Sequence, residues 1–96
     1  MNIEKCPYCE TQLVDRKLGT TNNFTCSKCD YAMTIYYNLA FDALIVFKDK
    51  AWRIKHTEPN QFEVVGGYYN PIAFGFESLP YAIDYVFKLI RNTDLE

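Results

Sequence analysis

Cys6-Pro7-Tyr8-Cys9 and Cys26-Ser27-Lys28-Cys29 decide how the first third of this 96-residue chain folds. Two residues inside each pair let a tight turn aim both sulfurs at one point. Sixteen residues separate Cys9 from Cys26, enough for a hairpin that returns the second turn beside the first. Four thiolates then meet tetrahedrally on one ion, at about 2.3 Å each if the ion is zinc. The spacing lies within the range read as a zinc site, and the expectation is one structural Zn²⁺ per chain on Cys6, Cys9, Cys26 and Cys29. Spacing does not choose the metal, so an iron site with four thiolates stays open. Two disulfides would need an oxidising compartment. Met1-Asn2-Ile3-Glu4-Lys5 has no apolar stretch like that of a signal peptide, so the expected setting is the reducing cytoplasm. A redox Cys-x-x-Cys opens a helix in a βαβ setting, and nothing helical follows either pair here. Catalytic zinc keeps an open position, which four cysteines close.

Between the pairs, Thr11 to Leu18 reads as a strand and Gly19-Thr20-Thr21-Asn22-Asn23 as a turn, with Phe24-Thr25 leading into the second pair. This arrangement resembles a zinc ribbon over about residues 3–36. The resemblance implies two cysteine knuckles on an antiparallel sheet, with the four cysteines as ligands. Ribbon knuckles often carry Gly after their second cysteine, where the backbone turns left-handed; here Glu10 and Asp30 stand there.

Beyond Cys29 the chain reads as strands. Tyr31 to Tyr37 alternates, with Tyr31, Met33, Ile35 and Tyr37 on one face, and Asn38 breaks it. Phe41 to Phe47 is nearly continuously apolar, which suits a strand covered on both faces. Lys48-Asp49-Lys50 reads as a hairpin turn. Ala51 to Thr57 sets Trp52, Ile54 and His56 against Arg53 and Lys55. Glu58-Pro59-Asn60 turns into a strand over Gln61 to Val65, and Gly66-Gly67 permits a bend or bulge. Ile72, Phe74 and Phe76 share the face of an expected edge strand. Ser78, followed by Pro80, opens a helix over 79–92 whose stripe is Leu79, Ile83, Val86, Phe87 and Ile90. The expected fold is α+β in a single domain, 1–96. A zinc-ribbon subdomain (1–36) continues into an antiparallel β-sheet with one C-terminal amphipathic helix packed on it (37–96).

Function is less legible. A composition of 49% hydrophobic and 17% aromatic residues excludes a disordered segment. No apolar run approaches the ~18 residues of a membrane span. The abundance of Asn, Ile, Lys, Tyr and Phe is the coding bias of an AT-rich genome, as in many bacteriophages and low-GC bacteria. Nucleotide-loop, nucleophile-elbow and zinc-protease motifs are missing, His56 stands alone, and no enzyme is expected. The net charge of −2 argues against a general nucleic-acid binder. One basic stretch departs from it: Lys48, Lys50, Arg53 and Lys55 surround Trp52. They are candidate contacts for a partner, with lysines on phosphates and the indole available for stacking. Eight tyrosines favour a protein interface. The leading expectation is a non-enzymatic binding or regulatory module whose partner is a protein, with no membrane and no small-molecule substrate. The runner-up is a nucleic-acid-binding accessory factor of transcription or replication, and the third is a thiol redox protein. The strand bearing Arg53 and Lys55 would present them on the face away from the helix. Beside them would lie either Phe41, Ala43, Ile45 and Phe47 or Leu44 and Val46.

Overall fold

A computed structural model describes residues 3–36, 42–58, 61–66 and 71–93. Seven strands form one antiparallel sheet in simple sequence order: β1 (Val14–Leu18), β2 (Thr21–Thr25), β3 (Tyr31–Tyr36), β4 (Ala43–Phe47), β5 (Lys50–Glu58), β6 (Gln61–Val65) and β7 (Pro71–Phe76). One helix follows, α1 (Leu79–Thr93). The architecture is α+β, an antiparallel sheet with a C-terminal helix. No helix among the described residues is long and apolar enough to cross a membrane.

The helix forms where the sequence spacing placed it. The Ser78 carbonyl accepts the Ala82 N–H at 3.3 Å, and Pro80 occupies the first turn, where a missing N–H costs nothing. Ala82, Ile83, Val86, Phe87 and Ile90 are buried against the sheet. Asp84 and Lys88 pair at 3.3 Å on the outer side.

The register explains which sheet residues share the buried face. Phe24, Met33, Ile45 and Trp52 form one row across four strands, and Ile35, Ala43, Ile54 and Val64 form the next. All eight are buried. Between these rows lie Arg16, Asn23, Thr34, Leu44, Arg53 and Val65, whose side chains point to the other face. Of these six Val65 alone is buried, and it stands outside the core cluster that includes the helix residues.

Three local expectations need correction. β4 is covered on one face only: Ala43, Ile45 and Phe47 are buried, while Leu44 and Val46 are half-buried. Its apolar run is continuous, but a single helix has just one side of the sheet to cover. The first hairpin turn is only Gly19-Thr20, because Thr21, Asn22 and Asn23 already pair in β2. The asparagines satisfy their amides across the sheet. Buried Asn22 donates Nδ2–H to Asp15 Oδ1, and Asn23 donates to Thr34 Oγ1 at 2.8 Å. Third, Ile72, Phe74 and Phe76 do not share a face. Two register shifts interrupt the β6–β7 pairing, and Gly75 sits at φ 88°. Phe76 then lies opposite Phe62, and its ring meets Tyr85 with centroids 5.4 Å apart, whereas Phe74 is 80% exposed. Of the two residues after the cysteine pairs, Glu10 alone is left-handed, at φ 62°. Asp30 instead continues the sheet, its carbonyl accepting the Lys48 N–H at 2.9 Å. Tyr37, Asn38, Phe41, Pro59, Asn60, Gly67, Tyr68 and Tyr69 fall outside the described residues.

Candidate metal centre

Each cysteine pair is held by its own backbone. The Cys6 N–H donates to the Thr11 carbonyl and the Glu10 N–H to the Cys6 carbonyl, both at 2.9 Å, which closes the first turn. The left-handed Glu10 is what allows the chain to reverse within so few residues. The second turn lies between β2 and β3, where the Cys26 N–H donates to the Tyr31 carbonyl at 3.1 Å. There the N–H groups of Lys28 and Cys29 point at Cys26 Sγ, at 3.4 and 3.3 Å. The two ends of the first turn are tied together just before β1 by the Leu13 N–H, which donates to Glu4 O at 2.8 Å.

The four sulfurs converge. Sγ atoms of Cys6, Cys9, Cys26 and Cys29 all lie within 4.8 Å of one another, and Cys9 and Cys26 Sγ are 3.5 Å apart. A tetrahedron with arms of about 2.3 Å has edges of about 3.8 Å, so the cluster is close enough to hold a metal ion. Their electrostatics differ one from another. The Thr11 hydroxyl, 3.2 Å from Cys9 Sγ, holds the Cys9 thiol down to about 6. Burial pushes the Cys6 thiol up. Burial first, then the neighbouring thiols, pushes Cys29 up to about 12. Four sulfurs this close cannot all be charged without a cation between them. Thr11 is a contributor that spacing did not reveal; its only signal is a hydroxyl two residues past a cysteine.

The environment around the cluster is aromatic. Tyr8 packs on Phe47 with ring centroids 5.0 Å apart, and Lys48 Nζ lies 5.2 Å from both ring centroids. Tyr31 is 2% exposed and meets Phe87 edge-on. Its hydroxyl has no hydrogen-bond partner among the described residues, and burial pushes its ionisation far upward. A cleft of about 350 Å³ separates the first cysteine turn from the helix, between Cys6, Pro7 and Glu10 on one side and Phe87 and Arg91 on the other.

The basic stretch does not stay together. Trp52 is 7% exposed and points under the helix, where it cannot stack on a nucleic-acid base; this removes it from the candidate contacts. Lys48 sits in the β4–β5 turn at φ 56° and covers two rings. Lys50 lies opposite Phe47, at the end of the helix-covered rows. Arg53 and Lys55 are exposed on the other face, with Leu44 and Val46 rather than Ala43 and Ile45 on the strand beside them. Arg53 pairs at 3.3 Å with Asp42, whose other carboxylate oxygen takes the His56 N–H at 3.1 Å. Asp42 was hidden in the apolar reading of 41–47. His56 itself stacks on Phe62 with centroids 4.7 Å apart. No known protein family, curated protein or solved structure matches the chain.

Proposed function

We propose that the chain is a non-enzymatic zinc-ribbon module that binds an acidic segment of a partner protein on the sheet face away from α1. The metal is zinc, held by Cys6, Cys9, Cys26 and Cys29 in a closed, structural role. A four-sulfur donor set within tetrahedral reach supports that reading. It leaves no ligand position for substrate, which is why a catalytic metal is not proposed. Whole-protein metal analysis should return about one zinc per chain. An iron content with visible thiolate-to-iron colour would replace zinc by iron.

The observation that carries the binding reading is the composition of the open face. Leu44 and Val46 form a half-buried apolar floor, and Arg53 and Lys55 rise exposed beside it. Thr34, Asn23 and Thr25 add short polar groups that can donate to a carboxylate. Apolar floor, cations and small hydroxyls together suit an extended acidic peptide with interspersed apolar residues. The test is a titration with labelled acidic peptides of that composition and, separately, with single-stranded oligothymidine across a salt series. Peptide binding that is lost in the double substitution Arg53→Glu, Lys55→Glu supports the proposal. Oligonucleotide binding with a steep salt dependence, lost in the same variant, would establish the nucleic-acid alternative instead. Binding to neither probe overturns both.

A further inference from the structure

The sheet has two edges, and they are built differently. At β7 the ladder is irregular: two register shifts and a left-handed Gly75 twist the strand away from regular pairing. At β1 the ladder runs without a shift from Val14 to Leu18 and contains neither Pro nor Gly. All five of its residues are exposed. A regular, exposed edge offers unpaired N–H and C=O groups to another strand.

Which groups are offered follows from the hairpin. Leu18 and Thr21 are partners across a two-residue loop, so they form a pair whose N–H and C=O groups bond each other. Alternation then points the backbone groups of Arg16 and Val14 inward to β2 and those of Lys17 and Asp15 outward. The next outward residue, Leu13, already donates its N–H to Glu4. The free edge is therefore the backbone of Asp15 and Lys17, and no described residue pairs with it.

The sequence of β1, Val14-Asp15-Arg16-Lys17-Leu18, matches itself when reversed about Arg16. Asp15 then opposes Lys17 and Val14 opposes Leu18. We propose that this edge pairs with the same edge of a second copy of the chain, antiparallel and centred on Arg16. In that register Asp15 and Lys17 of the two copies are hydrogen-bonded pairs, giving four backbone bonds and two ion pairs. Val14 and Leu18 become non-hydrogen-bonded pairs, where side chains approach most closely. Both are exposed in the single chain, 51% and 62%, on the open face. Their pairing would form a separate apolar patch on that face, across the two-fold axis and separated from Leu44 and Val46 by β2 and β3. The other registers the alternation permits are worse. Centring on Asp15 or Lys17 sets like charges against each other. Centring on Arg16 leaves one unfavourable contact, Arg16 against its own copy, which the two ion pairs offset.

The pairing depends on neither the identity of the metal nor the acidic partner. It is tested on the full, metal-loaded chain by sedimentation equilibrium from micromolar to millimolar concentration. Asp15→Lys or Lys17→Asp alone creates two like-charge pairs and should weaken dimerisation by about tenfold or more. The double charge swap, Asp15→Lys with Lys17→Asp, restores opposite pairs and should recover most of the loss. Arg16→Leu removes the unfavourable contact and should tighten the dimer. Amide exchange supplies a readout that a merely structural effect would not give. The Asp15 and Lys17 amides should slow with rising protein concentration while Arg16, already bonded to β2, does not change. A chain that stays monomeric throughout overturns the proposal. So does a double swap no better than either single change, or a dimer whose Asp15 and Lys17 amides exchange at a concentration-independent rate.

Discussion

The two ends of one continuous sheet are held by different means. From β3 to β6, alternate residues are sealed on the face that carries α1: Met33, Ile45, Ile54 and Val64 are fully buried. At the other end β1 has no buried residue, and β2 contributes only Asn22 and Phe24. Two five-residue strands with so little apolar contact are marginal by themselves. What anchors them is the pair of cysteine turns at 6–9 and 26–29, the first leading directly into β1 and the second bonded to β3 through Cys26 and Tyr31. The comparison shows how a small chain extends a sheet beyond the strands on which α1 packs. Burial organises the covered strands, and a bound ion would organise the uncovered ones.

Removing the metal should give the largest effect and the sharpest test of that division. A structural zinc site supplies roughly 10–16 kcal/mol of apparent binding energy in small zinc-folded peptides. Chelation, or Cys26→Ser, should abolish exchange protection in residues 4–25 while the amides of β4, β5 and α1 keep most of theirs. Equal loss along the whole chain would mean that the two regions are not separately supported. Acid should act in the same direction. Cys6 and Cys29 are pushed up, so near neutral pH both carry protons that the metal must displace. Metal affinity therefore falls as pH falls, by about a decade per pH unit for each proton displaced. A competition titration with a chromophoric chelator at several pH values measures the slope, and a flat profile would contradict the thiol ionisations inferred here.

The converse change is next in size. Ile83→Ala removes a fully buried side chain from the helix that covers the sheet. It should cost about 2–5 kcal/mol in chemical denaturation. The metal content of the protein that remains folded should stay at its original value. If metal binding weakens in proportion, the covered half is holding the cysteine turns together and the division fails. A smaller loss is expected at Asn22, the buried polar residue of the uncovered end, which bonds Asp15. Asn22→Ala removes that bond and leaves the exposed Asp15 carboxylate to water, so it should cost about 1 kcal/mol, measured by the same denaturation.

Much of this was legible in the sequence because local rules governed it. The cysteine spacing, the alternation of Trp52 and Ile54 with Arg53 and Lys55, and the helical stripe each depend on residues within one element. The misjudged features are those decided between elements. Nothing local in 41–47 says that only one face of β4 will be covered, since that depends on which side of the sheet α1 packs. Nothing local marks Trp52 as covered rather than available; its neighbours across the sheet, Ile45 and Met33, decide that. Asn22 and Asn23 read as turn residues until their amides find Asp15 and Thr34 on flanking strands. Thr11 and Asp42 were invisible because each acts through one contact made in space.

Glu10 gives the smallest expected effect and the finest probe of the cysteine-turn end. It is exposed, and it holds a left-handed φ of 62° that closes the first cysteine turn. A residue with a Cβ meets its own carbonyl there, at a cost of roughly 1–2 kcal/mol, and Gly escapes it. Gly also has more freedom to lose on folding, which returns part of the gain. Glu10→Gly should therefore stabilise the metal-loaded protein by up to about 1 kcal/mol. The gain belongs to a turn that orders only when the cysteines are gathered. It should raise metal affinity in the chelator competition and leave the denaturation of the apo form unchanged within error. A gain of equal size in the apo protein would show the first cysteine turn to be formed without its ion. The covered strands would then be supporting the uncovered end directly.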